Sequence, residues 1–202
     1  QNSGQSCIAA KRFIIVESVY EEFERKFVDK ASRLKMGDPS EDGVYIGPQA
    51  RVDLRDSLHD QVRRSVDAGA KLLLGGELPE GPGAFYPPSV LAGVKPGMAA
   101  WSEELFGPVA TLIKVRDEQE AIEVANATEF GLGGAVWTRD LARGERIAAD
   151  QLQSGAALVN DMSKSDPRMP FGGIRNSGYG RELSIFGIRE FVNVHAVWVN
   201  EP

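Results

Sequence analysis

Residues 109–128 have the sequence VATLIKVRDEQEAIEVANAT, and this stretch decides the fold class. Its first part, 109–115, is apolar and rich in β-branched residues, which predicts a buried strand. Its second part predicts a helix over 117–128. The alternation recurs downstream, with strands predicted at 134–137 and 156–159 and, between them, a helix capped by Asp140 that runs to about residue 153. The pattern predicts an α/β fold, with a mainly parallel open sheet covered by helices on both faces.

The residues upstream repeat this arrangement. A strand is predicted at 12–16, followed by a helix whose apolar residues recur every three or four positions up to Gly37. A second helical stripe, formed by Leu54, Leu58, Val62 and Val66, ends at Gly69. Three leucines at 72–74 follow, and residues 78–88 are rich in Gly and Pro, which predicts turns.

Composition excludes several classes of function. The 202 residues carry 29 acidic and 23 basic side chains, a net charge of −6 that disfavours binding to nucleic acid or to anionic lipid. No apolar run approaches the roughly 20 residues needed to cross a bilayer. One cysteine and two separated histidines predict neither a disulfide nor a zinc site, and they favour a reducing compartment such as the cytoplasm. A start without Met or a leader indicates the middle of a longer protein.

Cys7 is the candidate nucleophile, but residue types alone leave two interpretations open. It lies between the turn-forming Gly4-Gln5-Ser6 and a predicted strand. A cysteine without informative neighbours is more often buried and inert. A turn at the edge of a sheet can instead offer backbone N–H groups that stabilise a thiolate and, later, an oxyanion.

Three motifs, in order along the chain, carry a resemblance. They are GQSCIAAKR at 4–12, EELFGPV at 103–109 and MPFGGIRNSGYGRE at 169–182. They resemble the conserved segments of the aldehyde dehydrogenase superfamily and span most of the chain. CIAAKRFI at 7–14, YPPSV at 86–90, GYGRELS at 178–184 and GIREF at 187–191 are most similar to the bacterial succinate-semialdehyde dehydrogenases.

The resemblance implies roles for individual residues. Cys7 would attack the aldehyde carbon and form a thiohemiacetal and then a thioester. Glu104 would bind the nicotinamide ribose, and Phe106 would pack beside it. Phe171 would line the aldehyde tunnel, and Ser165 would hydrogen-bond the far carboxylate of the substrate. Without the motifs, Glu104 would be a surface carboxylate, Phe106 an ordinary core residue and Ser165 an ordinary loop serine.

Gln1 matches a further pocket position in the family, where some members place an arginine. A neutral amide binds an anion more weakly than a guanidinium does, so we expect other residues to complete the carboxylate site.

The resemblance also implies a division of the chain. Residues 1–190 would form the catalytic domain, and 191–202, with a predicted strand at 194–199, would pair with another subunit in a homodimer or homotetramer. The dinucleotide-binding domain, the general base and the amide of the oxyanion hole would lie outside the chain. The cofactor would be NAD or NADP without a choice between them, and the isolated chain would be inactive.

Rival functions remain at this point. Cys7 could serve a hydrolase with His59 or His195 as its base, or the chain could be a folded oligomerisation module without activity. Within the dehydrogenases, the substrate could be another small polar or ω-carboxylated aldehyde, such as glutarate semialdehyde.

Overall fold

A computed structural model describes residues 2–202, which fall into two compact units, one ending at Thr128 and the other spanning Glu129–Pro202. The first unit contains β1 Arg12–Val16, α1 Glu17–Ser32, α2 Val52–Asp67, β2 Lys71–Leu74, β3 Ser89–Ala92, α3 Ala99–Ser102, β4 Val109–Val115 and α4 Glu118–Asn126. The second contains β5 Gly133–Val136, α5 Leu141–Asp150, β6 Ala156–Val159 and α6 Ser184–Arg189. The boundary between the units therefore lies inside the range 1–190.

The sheet of the first unit has the strand order β1-β4-β3-β2. β4 is its centre and pairs in parallel with β1, where Arg12 is opposite Thr111, and with β3, where Ser89 is opposite Val109. β2 runs antiparallel to β3. The prediction of a mainly parallel sheet is confirmed, although β3, which follows Pro87-Pro88 and shows no apolar alternation, was not predicted.

Both faces of this sheet are covered, which confirms the predicted layers. On one face α1 contributes Tyr20, Phe23 and Phe27 to a cluster with Val90 and Leu112. The opposite face of β3 carries Leu91, which packs in a second cluster with residues of α2 and α3. Because neighbouring residues of a strand point to opposite faces, the adjacent Val90 and Leu91 belong to different clusters.

The second unit is built on a parallel pair, β5 and β6, with Gly133 opposite Ala156. The helix between them begins as predicted, because the Asp140 carboxylate accepts a hydrogen bond from the Arg143 backbone N–H at 3.0 Å. It ends at Asp150, earlier than predicted. Gly144 brings this helix close to β6, since a Cβ there would lie 2.8 Å from a Val159 methyl.

The C-terminal segment, 193–202, forms neither helix nor strand in the single chain. Its apolar side chains are open to solvent: Val194 is 95% exposed and Trp198 88% exposed. The predicted strand at 194–199 is therefore not formed within the chain, and its pairing with another subunit stays a prediction. Among the helices of residues 2–202, none is long and apolar enough to cross a membrane.

Candidate active site

Cys7 is exposed and lies on a tight loop between a short 3-10 turn, Asn2–Gly4, and the first strand. Asn2, Ser3 and Gly4 all have positive φ angles, of 48°, 52° and 76°. Two backbone hydrogen bonds close the loop, from the N–H of Gln5 to the Asn2 carbonyl and from that of Ala9 to the Ser6 carbonyl. The Cys7 thiol is thus presented to solvent by a defined backbone and is not part of the core.

Gly4 brings the first motif against the second. A Cβ at this position would lie only 2.0 Å from the carbonyl oxygen of Gly107, closer than Cβ atoms come to other atoms. Its φ of +76° is also one that side-chain-bearing residues rarely adopt. Glycine is required here for both reasons, and its absence of a side chain lets the Cys7 loop touch the FGP segment that follows Glu104.

The Cys7 loop is fastened on its other side by polar side chains. The Gln5 side-chain amide accepts from the Ala50 N–H at 2.7 Å and donates to the Pro48 carbonyl at 3.2 Å. The Ser3 hydroxyl accepts from the Gly47 N–H at 3.1 Å. Residues 47–50 therefore form a fixed support for the loop, which the sequence motif did not reveal.

Glu104 is positioned by α2. Arg64 binds the neighbouring Glu103 through two hydrogen bonds of 2.7 and 2.8 Å, and this pairing lowers the pKa of Glu103 to about 2. Gln61 donates to the Glu103 carboxylate at 3.0 Å and to the Glu104 backbone carbonyl at 3.2 Å. With its backbone held in this way, the exposed Glu104 carboxylate can accept hydrogen bonds from a ligand.

Phe106 presents part of its ring to solvent, being 41% exposed. The Lys11 ammonium lies 5.1 Å from the ring centroid, a cation–π distance, and donates to the Gly4 carbonyl at 2.5 Å. The Glu104 carboxylate can accept hydrogen bonds from the hydroxyls of a sugar. The exposed face of the Phe106 ring, two residues later, can pack against a planar ring. A hydrogen-bond acceptor beside an exposed aromatic ring fits the ribose and the ring of a nicotinamide nucleotide.

Lys11 is a residue of the site that no sequence motif singled out. Burial lowers its pKa, while the negative charge of Glu104 opposes that shift. Lys11 therefore contacts both the Cys7 loop, through the Gly4 carbonyl, and the Phe106 ring. The only sequence signal was a lysine four residues after the cysteine, directly before a buried strand.

Phe171 and Ser165, the two predicted substrate residues of the second unit, differ in burial and in local structure. Phe171 is half-buried and pairs with Glu182 through backbone hydrogen bonds of 2.9 and 2.8 Å. Ser165 is exposed on a segment without helix or strand, and the residues around it form ion pairs of Asp161 with Lys164 and of Asp166 with Arg168. Gln1 lies outside the described residues.

His59 does not support the hydrolase alternative. Its Nδ1 atom lies 3.3 Å from the hydroxyl of Tyr86, a fully buried core residue, and the two rings are in contact. His195 is in the exposed C-terminal segment of the second unit. Within residues 2–202, no three His, Cys, Asp or Glu side chains are grouped to hold a metal ion.

Comparison with known proteins gives consistent matches. A model of the aldehyde dehydrogenase family matches residues 1–197. Succinate semialdehyde dehydrogenase [NAD(P)+] Sad of Escherichia coli (strain K12) is 50% identical over 198 residues, which are 98% of this chain and 43% of that protein. Succinate-semialdehyde dehydrogenase [NADP(+)] of Mycobacterium avium (strain 104) is 48% identical over 98% of this chain and 42% of that protein.

Solved structures match in the same way. Succinic semialdehyde dehydrogenase from Streptococcus pyogenes, in complex with NADP+, has a TM-score of 0.95 at 36% identity and covers 98% of this chain and 44% of that one. Aldehyde dehydrogenase 21 from Physcomitrella patens, in complex with the reaction product succinate, has a TM-score of 0.87 at 34% identity over 93% and 38%. The chain spans less than half the length of these relatives.

Proposed function

Because the chain belongs to the aldehyde dehydrogenase family, we propose that it is the cysteine-bearing portion of an enzyme that oxidises an aldehyde with NAD or NADP, with succinate semialdehyde as its preferred substrate. The observation that carries the proposal is the exposed Cys7 on a loop locked by Gly4 against the segment of Glu104 and Phe106. The similarity to succinate-semialdehyde dehydrogenases supports the choice of substrate.

The reaction begins when the Cys7 thiolate adds to the aldehyde carbon and forms a C–S bond. The resulting oxyanion accepts a hydrogen bond from the backbone N–H of Cys7. Bound NAD or NADP supplies the acceptor for the hydride that leaves this carbon. The thioester on Cys7 is then hydrolysed, so that one aldehyde, one oxidised cofactor and one water give one carboxylic acid, one reduced cofactor and one proton.

The remaining residues bind the two ligands. Glu104 accepts hydrogen bonds from the nicotinamide ribose, and Phe106 packs its open face beside the ring. In the second unit Phe171 lines the path of the aldehyde and Ser165 donates to the distal carboxylate, aided by Gln1. Ser165 is exposed, so its hydroxyl is accessible to a ligand.

We place the general base, the side-chain amide of the oxyanion hole and the main cofactor cradle in a dinucleotide-binding domain outside residues 1–202. Residues 1–190 then act as the catalytic portion, and 191–202 pair with another subunit in a homodimer or homotetramer. The exposed Phe191 and Trp198 support this pairing, because association would bury them. A cytoplasmic location fits a reaction that needs a reduced thiol.

The function is tested on the full-length protein. Reduction of NAD and of NADP is followed with succinate semialdehyde for the wild type and for Cys7→Ser, with Ser57→Ala on the exposed surface of α2 as the control. We expect Cys7→Ser to lose about a thousandfold or more in kcat, since a hydroxyl is a far weaker nucleophile than a thiolate, and the control to retain activity. Undiminished turnover by Cys7→Ser would refute the proposal.

The substrate assignment has its own test. We expect the kcat/KM for succinate semialdehyde to exceed that for an uncharged aldehyde of similar length, and Ser165→Ala to reduce this preference by about ten- to a hundredfold, the cost of a hydrogen bond to a charged group. A preference for glutarate semialdehyde, or no effect of Ser165→Ala, would contradict it. The isolated 202 residues are expected to show little or no turnover.

A further inference from the structure

The segment 103–107, which carries Glu104, packs along α2. Leu105 is only 1% exposed and belongs to the same core cluster as Leu58 of α2. A Cβ on Gly107 would lie 2.3 Å from a methyl group of Leu58, so the backbone reaches the helix here too. Apolar contacts therefore fix the C-terminal part of the segment and leave Glu104 to be held by other means.

Gln61 supplies the polar contact between α2 and Glu104. Its side chain is half-buried, and its Nε2 atom donates to the Glu103 carboxylate at 3.0 Å and to the Glu104 backbone carbonyl at 3.2 Å. One amide thus holds two consecutive residues. The Glu104 carboxylate itself is exposed, so Gln61 fixes the backbone from which this side chain projects and leaves the carboxylate open to a ligand.

Gln61 is held in place by its own helix and by α3. Its backbone carbonyl accepts from the Ser65 hydroxyl at 2.7 Å, and the same hydroxyl oxygen accepts from the Ala100 N–H at 2.9 Å. Ser65 is fully buried, which makes this link between α2 and α3 costly to break. Arg64 holds the Glu103 carboxylate by two bonds of 2.7 and 2.8 Å. Both the donor and its acceptors are therefore in place before any ligand binds.

We propose that Gln61 is a positioning residue that fixes Glu104 for the cofactor and so sets the affinity for NAD or NADP, with no part in aldehyde binding. This inference rests on the proposed function, because it takes Glu104 as the residue that binds the nicotinamide ribose. A carboxylate on a fixed backbone loses little conformational freedom when a ligand binds, whereas a mobile one loses more and binds more weakly. The Cys7 loop has separate supports in Ser3 and Gln5, so loss of the Gln61 amide should leave that loop in place.

The test uses the full-length protein with the variant Gln61→Met, which removes the amide and keeps an unbranched side chain of similar length. The KM values for the cofactor and for succinate semialdehyde are measured separately, and the Kd of the reduced cofactor is measured by isothermal titration calorimetry. We expect the KM and the Kd for the cofactor to rise about three- to tenfold, the effect of losing one or two partly exposed hydrogen bonds. The KM for the aldehyde should change by less than about twofold, because Gln61 acts only through Glu104.

Three further variants separate positioning from a general effect on the fold. Gln61→Lys keeps a donor for the Glu103 carboxylate and the Glu104 carbonyl, so it is expected to hold the cofactor KM near the wild-type value. Gln61→Ala is expected to show the same rise as Gln61→Met and replaces it in the comparison where Gln61→Met does not fold. Gln119→Met is the matched control, because the Gln119 amide of α4 also donates to an exposed glutamate, Glu123, at 3.0 Å, outside the candidate site. Its cofactor KM should stay unchanged.

An unchanged cofactor KM in Gln61→Met would overturn the inference, and so would equal losses of affinity for cofactor and aldehyde, which would indicate a role in folding alone. A measurement without ligands separates the inference from the proposed function: amide hydrogen exchange of residues 99–107, where the Glu103 N–H donates to the Ala99 carbonyl at 2.8 Å. Exchange should be faster in Gln61→Met than in Gln119→Met. If the wild type reduces neither NAD nor NADP, the proposed function fails, while the exchange rates still decide whether Gln61 holds the segment: equal rates in the two variants refute it.

Discussion

The contact between Gly4 and Gly107 offers the sharpest test of how the site is built, through the substitution Gly4→Ala. The added Cβ would lie 2.0 Å from the Gly107 carbonyl oxygen, whereas Cβ contacts are essentially never below 3.0 Å. One of the two backbones must therefore move by about 1 Å, because neither atom belongs to a flexible side chain. The motion separates the Cys7 loop from the segment that carries Phe106.

Gly43 provides a matched control. Its φ of +77° equals that of Gly4 within 1°, but nothing lies within 4 Å of the position of its Cβ. Gly43→Ala therefore measures the cost of the left-handed backbone alone, about 1 kcal/mol. Gly4→Ala adds the displacement of hydrogen bonds made by Lys11 and Gln5, each worth about 1 kcal/mol, for a total of about 3 to 4 kcal/mol.

The assay is urea unfolding of both variants of the full-length protein, together with their rates of aldehyde oxidation. A shift of about 1 Å at a nucleophile is expected to reduce kcat about a hundredfold in Gly4→Ala, and Gly43→Ala should keep its activity. If both variants lose the same free energy of unfolding and Gly4→Ala remains active, the close approach of Gly4 to Gly107 does not position the Cys7 loop.

Further substitutions test the supports of the site and of the fold. Gln5→Ala removes both bonds to the loop at 47–50 and should lower the free energy of unfolding by about 1–2 kcal/mol and reduce Cys7-dependent turnover, measured by urea unfolding and by cofactor reduction. Arg64 lowers the pKa of Glu103 from 4.5 to about 2, so this carboxylate stabilises the folded state above about pH 4, and the contribution is lost as the pH falls towards 2. Glu103→Gln should therefore cost about 0.5–1 kcal/mol at neutral pH, a value reduced by solvent screening, and progressively less in acid; a stability difference that grows in acid would contradict this. Asp140→Ala should destabilise α5 by about 1 kcal/mol in thermal unfolding, with Asp140→Asn, which keeps the capping oxygen, close to wild type.

Much of the fold follows from local patterns in the sequence. The predicted bounds of β4 and β6 coincide with the observed ones. Of the predicted stripe in α2, Leu58 and Val62 are buried, whereas Leu54 and Val66, nearer its two ends, are exposed. These elements were predictable because a run of mostly apolar residues indicates a buried strand and an apolar stripe of helical spacing indicates an amphipathic helix. β3 offers neither signal, since it has only four residues, with the polar Ser89 at its start and the small Ala92 at its end.

Some residues of the candidate site could likewise be predicted from the sequence, and others could not. Cys7, Glu104 and Phe106 could be selected from sequence because each lies in a motif of neighbouring residues. Tertiary structure alone placed Lys11 over the Phe106 ring.

By itself, then, the sequence determined the α/β class, the positions of most helices and strands, and the choice of Cys7 as candidate nucleophile. Only the tertiary structure decided that β2 runs antiparallel to β3, that Gly4 touches Gly107, and that an ammonium lies between the two motifs. The physical reason is the separation along the sequence over which each effect acts. Periodicity and capping act between residues a few positions apart, whereas these contacts join residues that only the completed sheet brings together.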